Sequence, residues 1–148
     1  MRNYVLNGKR LCRSQAIIIK DNAIMMLRQS GKKTKEDFWV LPGGSNHRNE
    51  NFDETMLREL KEEINVDVEN YKLLDVFATN DDEYYLFTTY LVELKEDDNP
   101  SPGVESVATQ ILNIEWLSIE NIMNGKHDDK FTMTKPNIKQ LLNKAQSL

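Results

Sequence analysis

Three carboxylates crowd one short stretch of the sequence: Glu59, Glu62 and Glu63, within Arg58-Glu-Leu-Lys-Glu-Glu-Ile-Asn-Val66. On a helix turning about 100° per residue they lie within about 100° of one another, while Met56, Leu57, Leu60 and Ile64 centre roughly 120° away. One face is built to pack, and the neighbouring face gathers negative charge. Like charges three or four residues apart repel by about 0.2–0.5 kcal/mol per pair on an isolated helix, so the cluster is mildly destabilising unless something positive sits on it. Carboxylate oxygens are hard ligands, and the partner they suit is a hard divalent cation. Such a cation can polarise a bound oxygen and lower the pKa of a water. Taken alone, Glu-x-x-Glu-Glu is more often a solvated acidic face, with Glu54 and Arg58 as an ordinary supporting pair.

The elements that must position these residues follow from periodicity. Residues 53–64 have helical spacing, with Asp53 as the expected N-cap and Asn65 as the left-handed residue that closes the helix. Upstream, residues 16–19 and 23–27 read as an antiparallel hairpin turning at Lys20-Asp21-Asn22. Phe38-Trp39-Val40-Leu41 is a short strand stopped by Pro42-Gly43-Gly44, and a loop is expected there. Downstream, residues 71–77 and 84–94 form a second hairpin across Asn80-Asp81-Asp82. Residues 95–103 are an acidic connection, and 110–117 a strand. Ser118 caps a short helix ending near Gly125, and residues 136–146 form a final helix carrying Ile138, Leu141 and Leu142. The predicted order, β-β-β-α-β-β-β-α-α, is that of a mixed α/β or α+β domain.

The 148 residues suffice for one core and are too few for two ordinary ones, so a single domain over 1–148 is expected. Nineteen Lys plus Arg against 24 Asp plus Glu leave a net charge of −5 with no basic block, which argues against long nucleic acid as a partner. The longest apolar runs, at 16–19 and 23–27, fall far short of the ~20 residues that cross a bilayer, so no membrane partner is expected. The opening MRNYVLNGKRLCRSQ contains nothing like the apolar core of a secretory signal, and a cytoplasmic location is expected. Cys12, the only cysteine, allows no internal disulfide and reads as a small buried or half-buried thiol rather than a nucleophile.

The acidic cluster sits inside a longer pattern. The chain satisfies G-x5-E-x7-R-E-U-x-E-E-x-[G]-U, with U aliphatic, at Gly44, Glu50, Arg58, Glu59, Leu60, Glu62, Glu63 and Val66, with Asn65 in place of the bracketed glycine. At ordinary residue usage the six fixed identities coincide on the order of once in 10⁷ trial positions. In this box the sequence resembles the Nudix hydrolase family, MutT-like members included. The lead-in Trp39-Val-Leu-Pro-Gly-Gly44 and the downstream Ile114-Glu-Trp-Leu117 resemble it less specifically. The resemblance implies an α/β/α sandwich around a mixed β-sheet and a Mg²⁺- or Mn²⁺-dependent hydrolase. Its substrate would be a nucleoside diphosphate linked to another group, such as a (d)NTP or an ADP-ribose-like nucleotide sugar. It implies Glu59, Glu62 and Glu63 as metal positions, with the Gly44 carbonyl beside them. Glu50 would be the further box carboxylate, and Arg58 would orient the cluster by pairing with a neighbouring Glu. The general base is expected at Glu59; the alternative is a later loop acid such as Glu105, although Glu105, Asp97 and Asp98 read first as solvated charges. His47 stands where many members carry Glu, and Asn49 and Asn65 stand where Gly is usual. His47 is either a further metal or phosphate contact or a solvent-exposed imidazole, the second being the commoner case.

For the substrate the expected contacts are Arg28, Trp39 and Tyr84. Phe38, Tyr85, Phe87 and Tyr90 also offer rings for stacking, and Arg13 and Lys32 offer charge, although packing and solvation account for such residues more often. The expected partner is a small nucleotide, with a homodimer left open. A second reading, a nucleotide-sensing module on the same fold without catalysis, is opposed by the intact Glu cluster. A third, removal of a cap from RNA, would want a basic groove that the charge balance does not supply.

Overall fold

In the computed structural model, residues 3–30, 37–103 and 111–148 are described. Their strands are β1 (Val5–Leu6), β2 (Lys9–Lys20), β3 (Ala23–Ser30), β4 (Asp37–Val40), β5 (Gly43–Ser45), β6 (Asn70–Ala78), β7 (Tyr84–Glu93) and β8 (Ile111–Ser118). The helices are α1 (Phe52–Ile64), α2 (Ile119–Met123) and α3 (Ile138–Gln146), with a 3₁₀ turn at Asp128–Lys130. The strands form one sheet in the order β4-β3-β2-β7-β6, with β8 added to β3 and with β1 and β5 added to β2. The β2–β7 pair is parallel and the other pairs are antiparallel, so the sheet is mixed.

The unbroken apolar runs of β2 and β3 are explained by burial on both faces, where alternation is not required. Ile17, Ile24 and Met26 pack with Ile119, Ile122, Ile138, Leu141 and Leu142 from α2 and α3. Ala16, Ile18, Met25 and Leu27 pack on the opposite face with Met56, Leu60 and Ile64 of α1. Burying each such side chain contributes about 1.5–3 kcal/mol before the entropy of ordering is set against it. Helices thus cover both faces in an α/β/α arrangement, as expected. Among the described residues no helix is long and apolar enough to cross a membrane.

The first hairpin turns on two residues, Asp21 and Asn22, with φ of 52° and 61°. Lys20 remains in the strand opposite Ala23, so the three-residue turn expected from the sequence is one residue shorter. Asn65 closes α1 in the left-handed region, at φ 58° and ψ 44°, as expected. Two local expectations are corrected. The N-cap of α1 is Asn51, not Asp53, and its N–H donates to Glu54 Oε1 at 2.9 Å. Phe52 packs against the α1-side core and so enters the helix, which leaves Asp53 in the first turn, where its charge meets the positive end of the helix dipole. The segment after Pro42 is not a loop but β5, paired with β2 through Arg13↔Ser45, Ser14↔Gly44 and Gln15↔Gly43. Gly43 makes this close approach possible: its φ is +155°, and a Cβ there would strike the Ser14 carbonyl.

Candidate active site

Residues 43–45 lie directly against α1, and at Ser45 the contact is made through one guanidinium. Arg58 Nε donates to Glu50 Oε2 at 2.6 Å, and Nη2 donates to Glu50 Oε1 at 3.1 Å and to the Ser45 carbonyl at 3.0 Å. Its Nη1 is shared between Glu59 Oε1 at 2.9 Å and Glu62 Oε2 at 3.1 Å. One rigid fork therefore fixes three carboxylates and the end of β5. Glu50 is gripped from its other sides by the His47 N–H at 2.8 Å and the Thr55 hydroxyl at 3.0 Å. Burial pushes the Glu50 carboxyl up, but Arg58, the His47 N–H and Thr55 outweigh it and hold the group at about 2.

Glu63 has a different setting. It is buried, and its Oε1 accepts from the Gly43 N–H at 2.8 Å. Burial and then the Glu59 charge push its carboxyl up to about 8, against the opposing pull of Arg13 and the Gly43 N–H. Burial also raises Glu59, more than the Arg58 charge lowers it. Gly44 faces this pair so closely that a Cβ at that position would fall on the Glu59 carboxylate. Among the described residues no three acidic or imidazole side chains are gathered as a ready-made ion cage. The hydrogen bonds give the reason: Arg58 Nη1 stands between Glu59 and Glu62, and Glu63 is turned to Gly43.

These groups line one side of a cleft of about 850 Å³. Glu59, Glu62, Glu63 and Arg58 form its acidic end, while Phe38, Val40, Tyr84, Phe87 and Met133 supply apolar walls. Arg10 and Arg13 of β2 also line it.

A family model described as NUDIX domain matches residues 10–139. The chain belongs to the NUDIX domain family. It is a Nudix-type pyrophosphohydrolase, and the matched region runs from β2 to the first residues of α3. An 8-oxo-dGTP diphosphatase of Proteus vulgaris is 34% identical over 83 residues, which is 52% of this chain and 74% of that relative. An 8-oxo-dGTP diphosphatase of Buchnera aphidicola subsp. Schizaphis graminum is 38% identical over 56 residues, 38% of this chain and 43% of that relative. Among solved structures, a NUDIX hydrolase from Nitrosomonas europaea superposes with a TM-score of 0.70 at 21% identity, covering 94% of this chain and 90% of its own. The MutT NUDIX hydrolase from Burkholderia pseudomallei superposes at 0.62 and 24%, covering 74% and 84%. At these identities the structural likeness speaks for the fold.

Of the residues expected in the Nudix site, Gly44, Arg58, Glu59, Glu62, Glu63 and Tyr84 line the cleft, and Glu50 lies behind Arg58. Tyr84 Oη lies 2.7 Å from Ser45 Oγ. Arg28 and Trp39 do not line it. They are cross-strand partners, so their side chains leave the sheet on the same side, opposite to Gln29, Phe38 and Val40. Arg28 is paired with Asp37 at 2.5 Å. The Trp39 indole donates to Glu115 Oε2 at 2.5 Å, and its ring stacks on Phe131 at 5.7 Å. Phe38 and Phe87 therefore stand where Trp39 was expected. Tyr85 bonds the Leu6 carbonyl at 3.2 Å, and Tyr90 belongs to the core. His47 lines the cleft, with Nδ1 3.8 Å from Glu50 Oε1. Asp97 and Asp98 lie away from it, in a turn where Asp98 Oδ2 accepts from the Lys95 N–H at 2.7 Å. Glu105 and Lys32 fall outside the described residues. The sequence reading missed Arg10 and Ser45, because β2 begins at Lys9, well before the apolar run that signals it.

Proposed function

We propose that the chain, as a single Nudix hydrolase domain, is a Mg²⁺- or Mn²⁺-dependent hydrolase that cleaves the pyrophosphate bond of a small nucleotide. The observation that carries this reading is the Glu59, Glu62 and Glu63 group at the acidic end of an open cleft, with Glu63 driven towards neutrality by burial and then by the Glu59 charge. Three carboxylates share one guanidinium, a fourth, Glu63, accepts from the Gly43 N–H, and the donor set is all oxygen, which fits a hard divalent ion. Glu59, Glu62, Glu63 and the Gly44 carbonyl are the groups that would hold it; each glutamate spends one oxygen on a hydrogen bond and keeps the other. Such an ion supplies charge neutralisation for the diphosphate and a more acidic water.

The protein's own residues do the remainder. Glu59, raised by burial, is suited to accept the proton of the attacking water. That water adds its oxygen to one phosphorus while the bridging P–O bond breaks, and the bridging oxygen leaves with the other phosphate and takes up a proton. Arg58 holds Glu59 and Glu62 at fixed separation, and Glu50 with the Ser45 carbonyl fixes Arg58 in turn. Phe38, Tyr84 and Phe87 offer a wall for a base, and the substrate class is a (d)NTP or an ADP-ribose-like nucleotide sugar. The first is favoured by the relatives named as 8-oxo-dGTP diphosphatases.

The test is product release from a panel of triphosphates, ADP-ribose, nucleotide sugars and dinucleoside polyphosphates, with and without Mg²⁺. Turnover should require the metal, and Glu62→Gln should lower it by about two decades or more. Thermal stabilisation by nucleotides without turnover across the whole panel would favour the sensing module instead.

A further inference from the structure

The Nudix cleft has a cationic side that the acidic box does not explain. Arg10 and Arg13 both line it, as do Asp81 and Glu83; Glu83 acts on Arg10, and Glu59 and Glu63 on Arg13, only at longer range, and among the described residues neither guanidinium has a carboxylate within ion-pair distance. This is unusual in a chain of net charge −5 whose third cleft arginine, Arg58, engages three carboxylates. Arg10 is nevertheless held: Nη1 donates to Tyr84 Oη at 3.2 Å and to Ser45 Oγ at 3.5 Å, and the guanidinium carbon lies 5.7 Å from the Tyr84 ring centroid. Arg13 Nη2 donates to the Leu41 carbonyl at 2.7 Å and Nε to Gln15 Oε1 at 3.4 Å. Hydroxyl and carbonyl partners orient a guanidinium without neutralising it, which keeps its charge for a ligand.

Ser45 ties this side to the acidic one. Its carbonyl accepts from Arg58 Nη2, while its hydroxyl contacts Tyr84 Oη and Arg10 Nη1. One residue of β5 therefore separates the group that orients Glu59 and Glu62 from an unpaired guanidinium. A diphosphate laid on the carboxylate cluster would lie in a cleft that Arg10 also lines.

We infer that Arg10, braced by Tyr84 and Ser45 with Arg13 beside it, is a specificity residue that receives a phosphate group lying beyond the two phosphates of the cleaved bridge. The inference rests on the proposed hydrolytic reading and narrows it: nucleotides with a further charged phosphate are preferred over those whose diphosphate ends in a neutral group. The shared chemistry is a phosphate monoester dianion, whether it terminates a triphosphate chain or sits on the sugar.

The experiment compares Arg10→Ala, Arg10→Lys and wild type on a nucleoside triphosphate, on a nucleoside diphosphate carrying a 3′-phosphate, and on ADP-ribose. For Arg10→Ala the loss of kcat/KM on a substrate with the extra phosphate should exceed the loss on ADP-ribose by about tenfold or more. Arg10→Lys should restore part of that ratio by returning the charge. The first two substrates separate a terminal from a sugar phosphate. Equal losses on all substrates would mean a packing role and overturn the inference, as would no loss on any. Calorimetric binding of inorganic tripolyphosphate in the presence of Ca²⁺ keeps the question answerable if no substrate is turned over. Arg10→Ala should weaken it about tenfold, and undetectable wild-type binding, or equal affinities, would also refute the assignment. Tripolyphosphate binding without hydrolysis of any nucleotide would leave Arg10 standing and remove the hydrolytic reading.

Discussion

Replacing Arg58 by alanine removes five hydrogen bonds and leaves Glu50, Glu59 and Glu62 facing one another. Breaking a buried charge network costs about 3–5 kcal/mol. Arg58 keeps 22% of its side-chain surface in water, so the lower part of that range applies. The Glu50 carboxyl gives an independent figure. Its displacement from 4.5 to about 2 corresponds to about 3 kcal/mol at neutral pH, an upper value because the His47 and Thr55 bonds contribute to it and survive the substitution. A loss of about 3 kcal/mol lowers Tm by roughly 6–12 °C for a domain of this size. The sign of the pH effect follows from the lowered pKa. The stabilisation is complete above about pH 4.5 and is lost as pH falls through 4.5 towards 2, so Arg58→Ala should flatten the acid limb of the stability curve. Arg58→Lys supplies charge without the fork and should recover only a minor part. Thermal melts from about pH 2 to about pH 8, read by circular dichroism, give both quantities. A Tm within about 2 °C of wild type, together with an unchanged acid limb, would show that the fork does not hold the cluster.

Gly44→Ala should separate folding from catalysis. The new methyl meets the movable end of Glu59 rather than backbone, so Tm should stay within a few degrees while kcat falls on the order of a hundredfold through displacement of that carboxylate. Gly43→Ala meets the Ser14 carbonyl at a positive φ and should instead destabilise the fold by about 2–3 kcal/mol in chemical denaturation. Glu63 titrates near 8 in the folded chain, above its unfolded value, so the folded state holds an extra proton and apo stability should fall as pH rises from about 4.5 to 8. Mg²⁺ binding should displace that proton, and the Mg²⁺-induced rise in Tm should therefore grow between about pH 6 and pH 9; a rise independent of pH would place the ion elsewhere.

The acidic end of the cleft was legible because its residues are local in sequence. Glu59, Glu62 and Glu63 share one helix, and helical spacing alone places them on one face beside the packing stripe of Met56, Leu60 and Ile64. The central strands were legible for the same reason: the short apolar runs at 16–19 and 23–27 flank a local turn, and burial on both faces accounts for their lack of alternation. The failures concern pairing. That Arg28 and Trp39 share a sheet face, and that the face is the one turned from the cleft, depends on the β3–β4 register, which no local pattern reveals. Arg10 and Ser45 were missed because a strand end recruited by β5 and β7 has no apolar signature of its own. Asn51 won the cap from Asp53 because Phe52 is drawn into the helix by the core beneath it, a tertiary effect.

The two charged sides of the cleft are joined by one short pairing. β2 carries Arg10 and Arg13 at one end and the core residues Ala16 to Ile19 at the other. β5 lays Gly43, Gly44 and Ser45 against the middle of it, with Arg13 opposite Ser45. Glu63 is anchored to the first of those three residues, Glu59 lies against the second, and Arg58 and Arg10 meet at the third. Because side chains alternate, a slip of one residue in this pairing would turn Ser45 from Tyr84 and Arg10 to the other face of the sheet. Gly43 opposes a slip that would place a larger residue there, since a Cβ at position 43 would strike the Ser14 carbonyl and Gln15, whereas Gly44 faces the Glu59 carboxylate. The two glycines thus have different tasks: Gly43 lets β5 approach β2, and Gly44 leaves room for Glu59, so that an acidic helix and a basic strand end are brought to the same opening.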